Sequence, residues 1–169
     1  MSFVIEFLVY FGYLCLHKWY VLLAGIKIAA PLFRLIIHDM HRFRPSSMIG
    51  FVTYSEFMPY VPEWTDSMCS EEALKLRHND QYKGKYNWQH WVLIKNDGTL
   101  YPVEMPDKYV YELVADWMAH ERFVAKGKDR WNPSEYYLQN RDKMIIHPNT
   151  HRLILTIMRA HDFITVEKI

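Results

Sequence analysis

The sequence has few of the features that mark disulfide-rich, zinc-finger or nucleic-acid-binding proteins. Its 169 residues include two cysteines, Cys15 and Cys69, which lie far apart and form no CxxC pair. This argues against a disulfide scaffold and indicates a reducing compartment. Because 20 basic residues balance 19 acidic ones, the net charge is +1, and no specific nucleic-acid binding is expected. A small phosphorylated ligand stays compatible, since a pocket needs only a few local cations.

The chain also lacks repeats, low-complexity tracts and a linker, so residues 1–169 are predicted to form a single cytoplasmic domain. Half of the residues are hydrophobic, which is enough for a buried core. Residues 3–16 are almost wholly apolar, but Glu6 interrupts them and Lys18 follows. A spanning helix needs about 20 apolar residues. We therefore expect no membrane span but a buried or homo-oligomer-forming first helix, with a membrane-attached helix as the alternative.

Prolines and caps mark the joints between predicted helices. Residues 2–29 form the first, and Pro31 begins a second that continues to about His41. Asn96-Asp97-Gly98 between two β-type runs predicts a hairpin near residues 91–103. Further helices are predicted to begin near Pro45, Ser70, Pro106, Pro133 and Pro148, the last two capped by Asn132 and His147. The predicted fold class is mostly α, a compact bundle of about six helices with one small β-hairpin.

A His-Asp pair near the end of the second predicted helix is the first candidate for metal binding. On a helix, His38 and Asp39 point about 100° apart, so both reach one ion only over the edge between them. The other ligands must come from other helices. His17 lies in an apolar helix, and Asp116 lies at the edge of an apolar stripe, in a row with Glu112 and His120. Taken singly, His17 is explained more simply as a hydrogen-bonded core histidine and Asp116 as a salt-bridged acid. Together they offer a nitrogen and oxygen shell that suits Mn, Fe, Co, Ni or Zn.

The order His17, then His38-Asp39, then Asp116 far downstream resembles the H…HD…D pattern of the HD phosphohydrolase superfamily. More closely, the chain resembles an uncharacterised helical domain family of phages and bacteria, from His17 to about Leu155. The similar stretches are 17–21, 31–39, 104–106, 114–117 and the region from Trp131 to Pro148. This resemblance implies an HD-like helical domain that binds a divalent ion (Mn, Fe, Co, Ni, Zn or Mg) through His17, His38, Asp39 and Asp116, in a host cytoplasm if the protein is phage-encoded.

The chain departs from that family at Tyr86-Asn87, where the family has two histidines shortly before its Trp-x-x-Trp motif. Those histidines could support a second metal ion or bind phosphate, so their loss puts a two-metal site in doubt. His78 matches the family's preceding histidine. His90 could compensate as an additional ligand. After the HD pair, Arg42 keeps the cation of the family's Ser-Lys-Phe.

The function expected from these residues is metal-dependent hydrolysis of a phosphate ester, that of a nucleotide or similar small phosphorylated molecule, by attack of a metal-bound water. His78 or Glu56 would move the proton. Arg34, Arg42 and Lys18, near the ligands in sequence, would bind the phosphate, although each also fits an exposed surface cation.

The alternative is a non-catalytic binding or oligomeric accessory protein that keeps an HD-like scaffold. Tyr86-Asn87 favours this alternative. The second His-Asp pair, His161-Asp162, has no matching partners and is not expected to bind metal. His147 and His151 have helical metal-ligand spacing, but His147 beside Pro148 fits a helix cap better. The sequence leaves open the substrate, the identity and number of ions, and the oligomeric state.

Overall fold

Most of the predicted joints begin helices in the structure. The computed structural model describes residues 3–54, 71, 75, 78–79, 82–124 and 131–164. Over these residues the fold is mostly helical with one small antiparallel hairpin, which confirms the predicted fold class. The predicted N-cap Ser70 and the candidate Glu56 lie outside the described residues. Described residues between 71 and 83 are mostly helical. The helices with full bounds are α1 (Phe3–Lys27), α2 (Leu32–Ile37), α3 (Pro45–Tyr54), α4 (Asp107–Val124), α5 (Ser134–Asn140) and α6 (Pro148–Ala160).

The predicted caps and the hairpin occur with the expected contacts. The side-chain oxygen of Asn132 accepts a hydrogen bond from the Ser134 amide at 2.9 Å. His147 Nδ1 accepts one from the Asn149 amide at 3.2 Å, which caps α6. Strands β1 (Val92–Ile94) and β2 (Leu100–Pro102) pair antiparallel, and Gly98 takes the positive φ that the turn requires.

Helix α4 lies at the centre of the main core. Its apolar stripe repeats with the helical period, so one face can pack against α1 while the flanks contact α2 and α6. The largest buried side chains of this core include Leu113 and Met118 from α4, Leu35 from α2 and Ile154 from α6. This packing places the buried face of α1 directly against α4. Both helices carry candidate site residues on those faces.

The second helix is shorter than predicted. Instead of continuing to about His41, α2 ends at Ile37, because His38 adopts an extended ψ of 131° and Asp39 then takes the left-handed conformation with φ 55°. Asparagine and aspartate tolerate this backbone better than other residues with a Cβ. A 3₁₀ turn, Met40–Phe43, follows. His38 and Asp39 therefore lie in a turn rather than on a helix, and the 100° separation predicted for them does not apply.

Helix α1 buries one face and exposes the other. The exposed face is apolar over much of its length and includes Leu8, Trp19 and Ile26, each more than half exposed. By length and composition alone, Val4–Lys27 could cross a membrane, a test that core helices of soluble proteins and signal sequences also pass. The predicted absence of a span and the predicted oligomer contact both stay predictions.

Candidate metal centre

Four side chains from three separate segments meet between α1 and α4. His17 comes from the buried face of α1, His38 and Asp39 from the turn after α2, and Asp116 from α4. His17 Nε2 lies 3.1 Å from Asp116 Oδ1 and 3.6 Å from Asp39 Oδ2. His38 Nε2 lies 3.4 Å from Asp116 Oδ1 and 3.8 Å from Asp39 Oδ2. The structure thus brings together the four residues predicted from up to a hundred positions apart.

The geometry of this cluster fits a divalent ion. Ligand atoms at about 2.0–2.2 Å from one ion would be separated by roughly 2.8–3.6 Å, for octahedral or tetrahedral arrangements. The four nitrogen–oxygen distances, 3.1 to 3.8 Å, lie at or slightly above that range. His17, His38 and Asp39 each offer a ligand atom, and these three atoms lie within 4.8 Å of one another. Asp116 adds an oxygen that is close to both histidines.

A second observation, independent of these spacings, concerns His38 Nε2. This atom is buried and has no hydrogen-bond partner, although buried polar atoms are nearly always satisfied. It faces the carboxylates of Asp39 and Asp116 without the alignment of a hydrogen bond. An unsatisfied imidazole nitrogen directed into a cluster of carboxylates is the atom that a metal ion would coordinate.

Glu112 determines how the His38 ring is held, and the sequence analysis gave it no role. It lies one helical turn before Asp116 on α4 and is fully buried. Its Oε1 is 3.0 Å from His38 Nδ1, and its Oε2 accepts a hydrogen bond from Arg34 Nε at 2.8 Å. A carboxylate at Nδ1 keeps a proton there, so Nε2, which faces the cluster, is the ring atom that would give up its proton to an ion. The signal available in the sequence was a carboxylate among the apolar positions of an amphipathic helix.

Asp39 is held from two sides. The Tyr86 hydroxyl donates a short hydrogen bond to Asp39 Oδ1, and Arg42 Nη1 lies 3.1 Å from Oδ2. The Tyr86 ring also packs against His38, with the ring centroids 4.2 Å apart. From the sequence, Tyr86 was noted only as a residue that replaces a histidine of the related family. In the structure it is a buried part of the site.

Electrostatic coupling within the cluster shifts three of its pKa values. Burial lowers the pKa of His38, but the carboxylates of Asp39, Asp116 and Glu112 outweigh this effect and raise it to about 10. Burial raises the pKa of Asp39, yet Arg42, His38 and His17 together lower it to about 2. Burial also raises the pKa of Asp116, but His17 and His38 outweigh this effect and hold that pKa well below the usual value. Without an ion, the cluster is a network of charged imidazole and carboxylates.

The three cations predicted to bind phosphate are engaged in holding this cluster. Arg34 bonds to Glu112 and lies over the Tyr109 ring, 4.5 Å from its centroid. Arg42 pairs with Asp39. Lys18 Nζ donates to the carbonyl oxygens of Ile36 and His38 at 2.6 and 2.8 Å, which fixes the end of α2. None of the three is the exposed surface cation that the alternative interpretation described.

The other predicted site residues lie apart from the cluster. His78 is exposed and its ring packs on Tyr82, 4.2 Å between centroids. His90 donates from Nδ1 to the Tyr82 carbonyl oxygen at 2.6 Å. His161 packs on Phe163 after the end of α6, and His151 bonds to the Tyr137 hydroxyl. Neither His78 nor His90 lines the cavity beside the cluster, so no contact in the described part of the chain supports their predicted roles.

Comparison with known proteins identifies a family without a described function. A family of unknown function, DUF5662, matches residues 7–160, so the chain belongs to that family. No curated protein and no solved structure matches the chain. The match says nothing about the HD superfamily, and that resemblance stays a prediction. The chemistry of the cluster itself is therefore what can indicate a function.

Proposed function

We propose that this member of the DUF5662 family is a metal-dependent phosphohydrolase that acts on a phosphate ester of a nucleotide-like small molecule. The observation that carries the proposal is the unsatisfied, buried Nε2 of His38 within a set of two imidazoles and two carboxylates. This donor set suits Mn, Fe, Co, Ni or Zn. The predicted resemblance to HD phosphohydrolases supplies the reaction class, because fold and ligand set alone do not fix a reaction.

The residues of the chain would divide the work as follows. Glu112 keeps the proton of His38 on Nδ1, and Tyr86 and Arg42 orient the two oxygens of Asp39. A bound divalent ion would lower the pKa of a water molecule and polarise a phosphoryl oxygen. His17 and Asp116, from the packed faces of α1 and α4, complete the donor set. The proton carriers stay predictions: His78 lies outside the cavity wall, and Glu56 lies outside the described residues.

A cavity lies beside two residues of the cluster and offers room for a substrate. The cavity has a volume of about 320 Å³, and His38, Asp39 and Tyr86 form part of its wall. This volume is near the lower end of the range for small-molecule sites, about 300–1,000 Å³. A single phosphorylated metabolite or mononucleotide is therefore the size of ligand that we propose, in a cytoplasmic setting.

The second candidate is a non-catalytic binding or accessory protein. The specific observation that favours it is Tyr86, whose hydroxyl occupies one oxygen of Asp39 where the related family is predicted to have a histidine. In this alternative, the charged pairs of the cluster would be purely structural. Metal content separates the two candidates, since a protein that binds no ion cannot use the proposed chemistry.

The test begins with protein purified without a metal-affinity tag. Elemental analysis should find a transition metal in the wild type and none in Asp39→Asn, which keeps the size of the side chain and tolerates the left-handed backbone. The matched control is Asp162→Asn, the same change in the second His-Asp pair, at another left-handed position. Phosphate release is then screened over nucleotides with Mn, Co, Ni or Mg. Metal-loaded wild type that hydrolyses no member of the panel would favour the non-catalytic candidate.

A further inference from the structure

The cavity beside the cluster has a second group of cations that the sequence analysis did not consider. Lys83 and Lys85 flank the buried Gly84 and line the same cavity as His38 and Asp39. Both lysines are exposed residues. In the part of the chain that the structure describes, no carboxylate forms an ion pair with either ammonium group. They therefore have no ion pair among the described residues, whereas Arg34, which lines the same cavity, is paired with Glu112.

The charges on the cavity wall favour an anion. Glu112 is neutralised by Arg34, and Asp39 is paired with Arg42. Once these pairs are set aside, Lys83 and Lys85 leave about two positive charges at the cavity. A phosphate monoester carries close to two negative charges at neutral pH, since its second pKa is about 6. Lysine ammonium groups bind phosphate as point charges and need no fixed bidentate geometry.

We infer that Lys83 and Lys85 form an anion-recognition site that holds the phosphate of a phosphomonoester of mononucleotide size against the His38–Asp39 side of the cavity. This inference rests on the proposed function for the choice of a phosphate ester, but the binding site itself needs no bound metal. It replaces Arg34, Arg42 and Lys18 as the primary phosphate contacts. Those three residues act instead by positioning Glu112, Asp39 and the end of α2.

The experiment measures binding of inorganic phosphate and of AMP to the full chain by calorimetry, with and without added Mn. The test variant is Lys83→Ala/Lys85→Ala. Its matched control is Lys95→Ala/Lys143→Ala, which changes the net charge equally at lysines that do not line the cavity. We expect the test variant to bind both probes at least about tenfold more weakly, as for loss of charged hydrogen bonds. The control and the charge-retaining Lys83→Arg/Lys85→Arg should bind within about twofold of wild type.

Two results would overturn the inference: wild type that binds neither probe, or a test variant that binds them as tightly as the control. Thermal unfolding checks that all variants fold, which is expected because both lysines are exposed. The failure of the proposed hydrolase looks different. If wild type holds no metal and releases no phosphate, yet binds AMP through the two lysines, the anion site stands and the hydrolytic function falls.

Discussion

Replacing Glu112 by glutamine tests the arrangement that directs His38 into the cluster. Glu112 accepts from Arg34 with one oxygen and contacts His38 Nδ1 with the other. A glutamine that still accepts from Arg34 must turn its NH₂ group towards Nδ1, which then has to act as an acceptor. The ring proton moves to Nε2, the atom that faces Asp39 and Asp116. A protonated Nε2 cannot bind a metal ion.

The expected loss of metal affinity follows from the proposed role of Glu112, which contacts a metal-binding histidine rather than the ion itself. Loss of the partner of a metal-binding histidine typically weakens metal affinity by about 10- to 100-fold, or about 1.4–2.7 kcal/mol. The ion-free protein should also lose stability, because Arg34 is left without a counter-charge. Breaking a buried pair costs about 3–5 kcal/mol. We expect a loss of stability of about 3 kcal/mol or less, because the Arg34 side chain is 18% exposed.

The assay is Co²⁺ or Mn²⁺ affinity by chelator competition, combined with urea unfolding of the ion-free protein. Glu104→Gln is the matched control, since the Glu104 side chain is 56% exposed and lies outside the cluster. If Glu112→Gln binds the ion as tightly as Glu104→Gln, the proposed tautomer control is wrong. If it loses stability alone, Glu112 has only a structural role.

Four further outcomes follow from the same site. Because the pKa of His38 is raised to about 10, an ion must displace the proton of this ring in order to bind. Metal affinity measured by calorimetry should therefore rise with pH below 10, by up to about tenfold per pH unit for one proton. In the ion-free protein, the stability contributed by His38 is fully present below about pH 6.5 and is lost as pH rises through about 10. The stability contributed by Asp39 is present above about pH 3.8 and is lost as pH falls through about 2. Unfolding that lacks both dependences would contradict the assigned contacts. His38→Ala should abolish metal content and His161→Ala should preserve it, and equal losses would show that the wrong His-Asp pair was chosen. Native mass spectrometry should find one ion per chain, and a second tightly bound ion would contradict the role given to Tyr86 below.

The sequence predicted the main helices and the four residues of the cluster, but it did not predict where α2 ends. Helical periodicity, prolines and caps located α1, α4 and α6 because these signals are local. The H…HD…D order predicted which four residues meet, although they belong to three segments. The end of α2 was missed, because the extended backbone of His38 and the left-handed backbone of Asp39 are single-residue features with no periodic signal.

The contacts around the cluster could not be predicted for a physical reason. Proximity in sequence suggested that Arg34, Arg42 and Lys18 were free to bind phosphate, but folding places each within reach of a carboxylate or a carbonyl group. Because buried charges need partners, cations near buried carboxylates pair with those carboxylates rather than with a ligand. Lys83 and Lys85 come from a distant segment and reach the cavity only through tertiary structure. Glu112 offered a signal that could have been used, a carboxylate on the buried face of an amphipathic helix.

The place of Tyr86 bears on how many ions the site can hold. Within the cluster, Asp39 presents Oδ2 to His17 and His38, so this oxygen, which also pairs with Arg42, is the one that an ion bound by both rings would contact. Its other oxygen, Oδ1, accepts the Tyr86 hydroxyl. A second ion that shared Asp39 through Oδ1 would compete with this donor, and a buried hydroxyl that lost its acceptor would cost about 1–3 kcal/mol. A histidine at this position would instead offer a nitrogen lone pair. Where a histidine could act as a ligand for a second ion, Tyr86 is instead a hydrogen-bond donor that orients Asp39.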